Sequence, residues 1–240
     1  MRQFLFLIFS FLTVYLSGQI IGFQLDGGTS RLLSNQYNPL FATQKSYYMP
    51  YGQAGIFYET KVRSHEIFGA ELLCSQFNGR INERDTSGYF VDANGNKTII
   101  INNLENSYHI MYLSLPIHYG IIIKKISISI GLQPSVTLNS WGESTFQSNF
   151  VPITNTIGQY TSQSKIPKLY IKDGALGEIA KLVYHFNETF SFEGGCYYGL
   201  SNIYRHNNSG ITAIIWKLQM ATIGIRIHLW NFKNISTKKS

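Results

Sequence analysis

Within residues 124–140 apolar and small polar side chains alternate without a break from 126 to 139. Ile126, Ile128, Ile130, Leu132, Pro134, Val136 and Leu138 fall on even positions; Ser127, Ser129, Gly131, Gln133, Ser135, Thr137 and Asn139 fall on odd ones. Successive side chains of a strand point to opposite faces, so the pattern predicts one long two-faced β-strand. A bilayer is crossed by about 9–11 tilted strand residues, and this run is longer. The same two-residue period marks seven more strands, near 20–28, 51–60, 65–78, 107–119, 168–184, 189–200 and 212–230.

The segments between them alternate in length. Long polar connections at 29–49, 79–105, 141–166 and 201–210 take turns with short ones at 61–64, 121–123 and 185–188. Outer-membrane barrels have this rhythm, with short periplasmic turns and long extracellular loops. Closure is required because lipid satisfies no open-edge backbone groups. The expected fold is therefore all-β, an eight-stranded antiparallel up-and-down transmembrane β-barrel over 19–230. Pro116 and Pro134 remove ladder donors and are expected at bulges or rims. Lys217 and Gln219 lie on the apolar parity of the last strand, which predicts a bulge or emergence from the membrane. Glu178 and Lys181 fall on opposite parities, so the faces of the sixth strand stay unassigned.

Composition decides which face is outside. Only 14% of residues are charged and 15% are aromatic. A soluble barrel needs a charged exterior, whereas the polar face here is mostly Ser, Gly, Gln and Thr. That face suits a crowded lumen, and eight strands leave an interior just wide enough for side chains to fill. The lipid-facing wall is then Ile126, Ile128, Ile130 and Leu132 with Ile223, Ile225 and Ile227, and the odd positions 127–139 line the lumen. Tyr119, Tyr170, Tyr184, Tyr198, Trp141, Trp216 and Trp230 lie near strand ends, as aromatic girdles do. Cys74 and Cys196 are expected on this lipid-facing wall, on opposite sides, with no disulfide between them. The net charge of +7 is dispersed, with no continuous basic patch, which argues against nucleic acid as a partner.

The first residues read as a targeting signal. Arg2 precedes an apolar run over 4–16, and Ser17 and Gly18 follow it. A basic start, a short apolar core and a small-residue exit describe a secretory signal peptide over 1–18. Residues 231–240 form a polar tail.

Charge on the inward face is sparse: Asp26, Glu59, Glu71, Lys125, Glu193, Arg226, His118 and His228. Counting up from the short turns sets Glu193 and Arg226 at similar heights, with Lys181 across the hairpin. Buried charges left single are costly, so Glu71, Lys181, Glu193 and Arg226 are expected to form a lumen polar network. Catalysis is not expected, since His206 in an outer loop has no matching Ser-His-acid spacing and His118 and His228 fall toward the periplasmic end. The histidines are single, without metal-ligand spacing, and no cofactor is implied. The long connections at 92–96 and 145–164 are the surfaces for a protein partner from the envelope. Two other readings stay open: a narrow porin-like channel and, with less support, a membrane-embedded lipid-modifying enzyme.

Several strand segments resemble a known family, the small outer-membrane β-barrel proteins of Bacteroidetes, often labelled porin-family or PorT-like. They are GAELLCSQ over 69–76, YLSLPIH over 112–118, SIGLQP over 129–134, YGLSNI over 198–203 and IGIRIHL over 223–229. The resemblance implies an outer-membrane location, an eight-stranded barrel, outer-membrane lipids and the barrel assembly machinery as partners, and for PorT-like members a role assisting secretion. The polar tail departs from barrels that end on an aromatic residue, so the assembly machinery would read Trp230 or Phe232 internally.

Overall fold

The structure, a computed structural model, describes residues 19–34, 43–91, 97–152, 158–166, 171–203 and 215–231. The signal segment, the 92–96 cluster, His206, Tyr170 and the tail beyond 231 lie outside the described residues. Among the described residues no helix is long and apolar enough to cross a membrane.

The strands are β1 (Ile20–Ser34), β2 (Thr43–Tyr47), β3 (Met49–Arg63), β4 (Glu66–Val91), β5 (Lys97–Ser114), β6 (Ile117–Ile123), β7 (Ile126–Pro152), β8 (Gly158–Ile166), β9 (Gly174–His185), β10 (Phe190–Gly199) and β11 (Trp216–Asn231). β1 pairs with β3 on one side and with β11 on the other, which closes the ring. From β3 the wall continues through β4, then β5 with β6, then β7, β9, β10 and β11. Because β5 and β6 are one wall, the ring has eight antiparallel members. The fold is an eight-stranded up-and-down β-barrel.

The interruption between β5 and β6 is chemical rather than a change of register. Ser114 faces Leu73 and Ser135, and Ile117 faces Ala70 and Leu132, so no residue is gained or lost across Pro116. The Glu71 amide donates to Pro116 O and the Leu115 amide to Pro134 O, both at 2.9 Å. Proline has no N–H to return either bond. Leu115 and Pro116 thus lose one ladder bond on each side. Neither proline makes a bulge and neither sits at a rim, the two placements expected from sequence; both stand inside the wall. The shift in this pairing falls between Met111 and Tyr112, where Leu138 is the extra residue of β7. It flips the parity of β7, so Asn139 is exposed and Ser140 is buried. Asn139 is therefore not a lumen residue.

The polar connections contain far more strand than their composition suggested. β4 and β5 run on as a ribbon to Val91 and from Lys97, where a loop over 79–105 was expected. β7 continues to Pro152 and is joined by β8, within what read as a loop over 141–166. β2 adds to the edge of β4. Together β2, β4, β5, β7 and β8 form a five-stranded sheet that stands on one side of the barrel at the long-connection end. At β11 no register shift accompanies Lys217 or Gln219, so they mark emergence, and the shift with β1 lies instead between Ile21 and Gly22.

Candidate functional site

Inward positions recur at every second residue of each wall, and the charged ones meet in one layer. Arg226 on β11 is completely buried. Its guanidinium binds Glu59 of β3 and Glu71 of β4, and its Nε lies 2.6 Å from Glu193 Oε2 of β10. The ring of Phe57 closes one face of the guanidinium at 4.5 Å. Lys181 of β9 donates to Glu71 at 2.5 and 2.6 Å and lies 2.9 Å from Glu193 Oε1. His118 Nε2 is 3.2 Å from Glu71. The structure thus brings Glu71, Lys181, Glu193 and Arg226 together.

Asp26 and Glu59, named from sequence only as polar-face residues, belong to the same layer. Gln24 donates to Asp26 at 3.1 Å and to Glu71 at 3.3 Å, and Gln53 donates to Asp26 at 2.6 Å. Their signal was present, since each shares the inward parity of its strand. Their heights were not, because those depend on the stagger of the closed sheet. Lys125, by contrast, sits exposed at the short turn and is no part of the lumen. Two glycines make room for this packing. A Cβ on Gly224 would fall on Asp26 Oδ1, and one on Gly69 on the His118 ring.

Toward the long-connection end the lumen turns apolar. Leu32, Tyr51, Phe77, Ile110, Tyr112, Ile179, Tyr197, Leu218 and Met220 pack as one cluster, contributed, among the described residues, by every wall except β7. Between the two layers lies a cavity of about 20 Å³ beside Gln53, Gln133, Lys181 and Glu193. That holds roughly one water. Trp216 belongs to this cluster, edge-on to Tyr108 at 4.8 Å, so it is not a girdle residue.

Toward the short turns a third set of inward groups forms a hydrogen-bonded chain that sequence reading missed. Ser127 Oγ is 3.2 Å from His185 Nε2, and His185 Nδ1 is 3.0 Å from Ser191 Oγ. Ser191 Oγ is 2.9 Å from His228 Nε2, and His228 Nδ1 is 3.0 Å from Glu188 O. The carbonyl only accepts, so for neutral rings one direction is consistent: each hydroxyl donates to an Nε2 and each Nδ1 donates onward. Ser191 lies between two imidazoles, yet it is fully buried, which keeps a substrate from its hydroxyl. Among the described residues no group of three His, Cys, Asp or Glu is placed to hold a metal.

The outer wall is apolar. Ile126, Ile128, Ile130, Leu132, Ile223, Ile225 and Ile227 all point away from the barrel, with Ile130 and Ile223 about 70% exposed (69% and 72%). A continuous exposed apolar belt of this kind needs lipid as its solvent. Cys74 and Cys196 are free and exposed on it. At its long-connection rim His109 stacks on Trp141 at 5.3 Å and bonds Asn78 at 2.7 Å, while Lys217 covers Tyr198 at 5.5 Å. At the opposite rim Tyr119 donates to Glu66 at 2.6 Å, and Tyr184 is exposed.

No family model and no curated protein matches the chain. Among solved structures it is similar to Ail, the attachment invasion locus protein of Yersinia pestis in complex with the heparin analogue sucrose octasulfate. That likeness has a TM-score of 0.35 and 12% identity, over 89% of this chain and 99% of the other. It is also similar to Neisserial surface protein A (TM-score 0.38, 10% identity, 86% and 96% covered). A third similar structure is the outer membrane protein OprG from Pseudomonas aeruginosa (TM-score 0.29, 13% identity, 89% and 97% covered). The assignment of the fold rests on the hydrogen-bonded ring itself.

Proposed function

We propose that this chain is an outer-membrane barrel with a sealed lumen that acts through the sheet it carries outside, as an anchor and interaction protein rather than a channel. The observation that carries this reading is the stacking of two closed layers, the ion-paired one around Arg226 and the apolar one around Phe77 and Tyr112, with room for roughly one water between them. An ion would have to break buried pairs and then cross an apolar plug, each step costing several kcal/mol. Long strands and long connections belong to the cell exterior in such barrels, so the five-stranded sheet faces outward. An accessory role in secretion, as the PorT-like resemblance implies, is the specific form this reading takes. Planar-bilayer recording tests the sealed lumen: the purified barrel is expected to give no steady conductance, and a large steady one overturns the reading. Crosslinking from native envelopes tests the role, and absence of a reproducible envelope partner counts against it.

A further inference from the structure

The outward face of the five-stranded sheet carries a cleft of about 560 Å³, lined by Lys45 and Tyr47 of β2, Asn82 and Arg84 of β4, Asn103 and Glu105 of β5, and Thr145 and Gln147 of β7, with Glu83 and Leu104 at its floor. The register places them in cross-strand rows. Lys45, Asn82, Glu105 and Thr145 stand side by side, and Arg84, Asn103 and Gln147 form the next row away from the membrane. The volume falls within the ~300–1,000 Å³ usual for small-ligand sites. Four strands span three inter-strand gaps, about 14 Å, which is too long for a lone anion.

Its chemistry is uneven along that length. Glu105 is engaged by Arg80 at 3.2 Å, and Glu83 by Gln44 at 3.2 Å. Among the described residues Lys45 and Arg84 have no acidic partner, so the β2–β4 end is positive. The β5–β7 end offers the amides of Asn103 and Gln147 and the hydroxyl of Thr145, groups that both donate and accept. Tyr47 adds an exposed aromatic ring at the membrane-proximal edge. Tyr47 and Leu104 are its hydrophobic side chains, and the other lining residues named are charged or carry amide or hydroxyl groups. That set matches a polar, hydroxyl-bearing ligand better than a peptide anchored by several hydrophobic side chains. Asn82 stands four residues beyond Asn78 of the rim, roughly 13 Å along the strand, clear of the apolar belt.

We propose that this cleft binds a short acidic saccharide, its carboxylate or other acid group at Lys45 and Arg84 and its hydroxyls on Asn103, Thr145 and Gln147. This rests on the reading of the sheet as the outward-facing interaction surface.

The test titrates the detergent-solubilised full chain with a galacturonic-acid trisaccharide and with neutral maltotriose, by calorimetry. Saturable binding of the acidic sugar is expected, at least about tenfold tighter than the neutral one, and weakening as salt is added. The double substitution Lys45→Gln with Arg84→Gln is expected to remove that preference while the folded barrel keeps its gel mobility. Equal affinity for both sugars, no binding of either, or an unchanged preference in the double variant overturns the proposal. A parallel arm presents an acidic glycolipid in vesicles: tight binding there in excess of the free sugar identifies a membrane-borne source, and equal binding a soluble one. Conductance is recorded separately, so a conducting barrel that still selects the acidic sugar removes the sealed-lumen reading and leaves this one standing.

Discussion

Arg226 is the residue on which the lumen turns, because three carboxylates from three strands converge on one guanidinium. Its planar fork offers five donors in fixed directions, which an ammonium does not. Removing it leaves Asp26, Glu59, Glu71 and Glu193 facing Lys181 as the remaining permanent cation of the layer. Breaking a buried pair from one side costs about 3–5 kcal/mol. Arg226→Met is therefore expected to destabilise the refolded barrel by roughly that amount, and Arg226→Lys by less. Urea unfolding in detergent, followed by tryptophan fluorescence, checks this, and a loss below about 1 kcal/mol would show that the layer relaxes around the gap. The charges of this layer were legible in the sequence because they stand out on a face otherwise built of Ser, Gly and Gln. Their company was only partly legible. Asp26 and Glu59 were visible as inward residues, but their contacts depend on barrel stagger, which no local pattern encodes. The Ser127–His185–Ser191–His228 chain escaped for the same reason, with the added difficulty that serine and single histidines carry no spacing signal.

At the scale of elements, the alternation marked every wall strand, and it failed where both faces of a strand are polar. β8 reads Gly-Gln-Tyr-Thr-Ser-Gln-Ser-Lys-Ile. Up to Lys165 nothing in it repeats with period two, and Ile166 at its end packs against the lumen cluster. The outer halves of β4, β5 and β7, where Ile81 also joins that cluster, likewise lack a sustained alternation. Their pairing comes from extending ladders already nucleated in the membrane. The sheet carries one titrating group of note. Glu83 is buried on β4, and desolvation raises its carboxyl above the ordinary carboxylate range. A raised acid binds its proton more tightly folded than unfolded, so its stabilisation is complete below the ordinary carboxylate pKa and is lost as pH rises through the raised value. Amide protection factors in the β4–β5 ribbon, taken against the intrinsic base-catalysed exchange rate at each pH, are expected to be higher under mildly acidic conditions than at neutral pH, and Glu83→Gln is expected to flatten that dependence. An unchanged pH profile in the variant rules Glu83 out as the cause. The prolines make a second prediction at this scale. Pro134 is exposed on the wall, and its missing N–H leaves Leu115 O without a ladder donor. Pro134→Val restores that donor with a good strand former, and is expected to stabilise the barrel by about 0.5–1.5 kcal/mol in the same urea titration. A loss of stability would mean that the break between β5 and β6 is held by packing around Pro116.

At the scale of the molecule, the order of layers along the barrel axis makes a prediction that no single residue makes. The ion-paired layer and the apolar layer are stacked, so each blocks the lumen independently of the other. Taking charges out of the first, as in Arg226→Ser with Lys181→Ser, opens space at that level but leaves Phe77, Tyr112, Tyr197 and Met220 packed beyond it. Shrinking the second alone, as in Phe77→Ala with Tyr112→Ala, leaves the buried pairs of Arg226 intact. If the seals act in series, either pair of changes gives a barrel that stays closed in planar-bilayer recordings, and only the four changes together produce steady conductance. Folding is controlled by the shift in gel mobility between folded and unfolded barrel, so a silent variant that keeps its folded mobility counts as closed. Conductance from the first pair alone would mean that the apolar cluster admits ions once the two cations are gone. The barrel would then be a gated pore, and the lumen rather than the outer sheet would become the place to look for its activity.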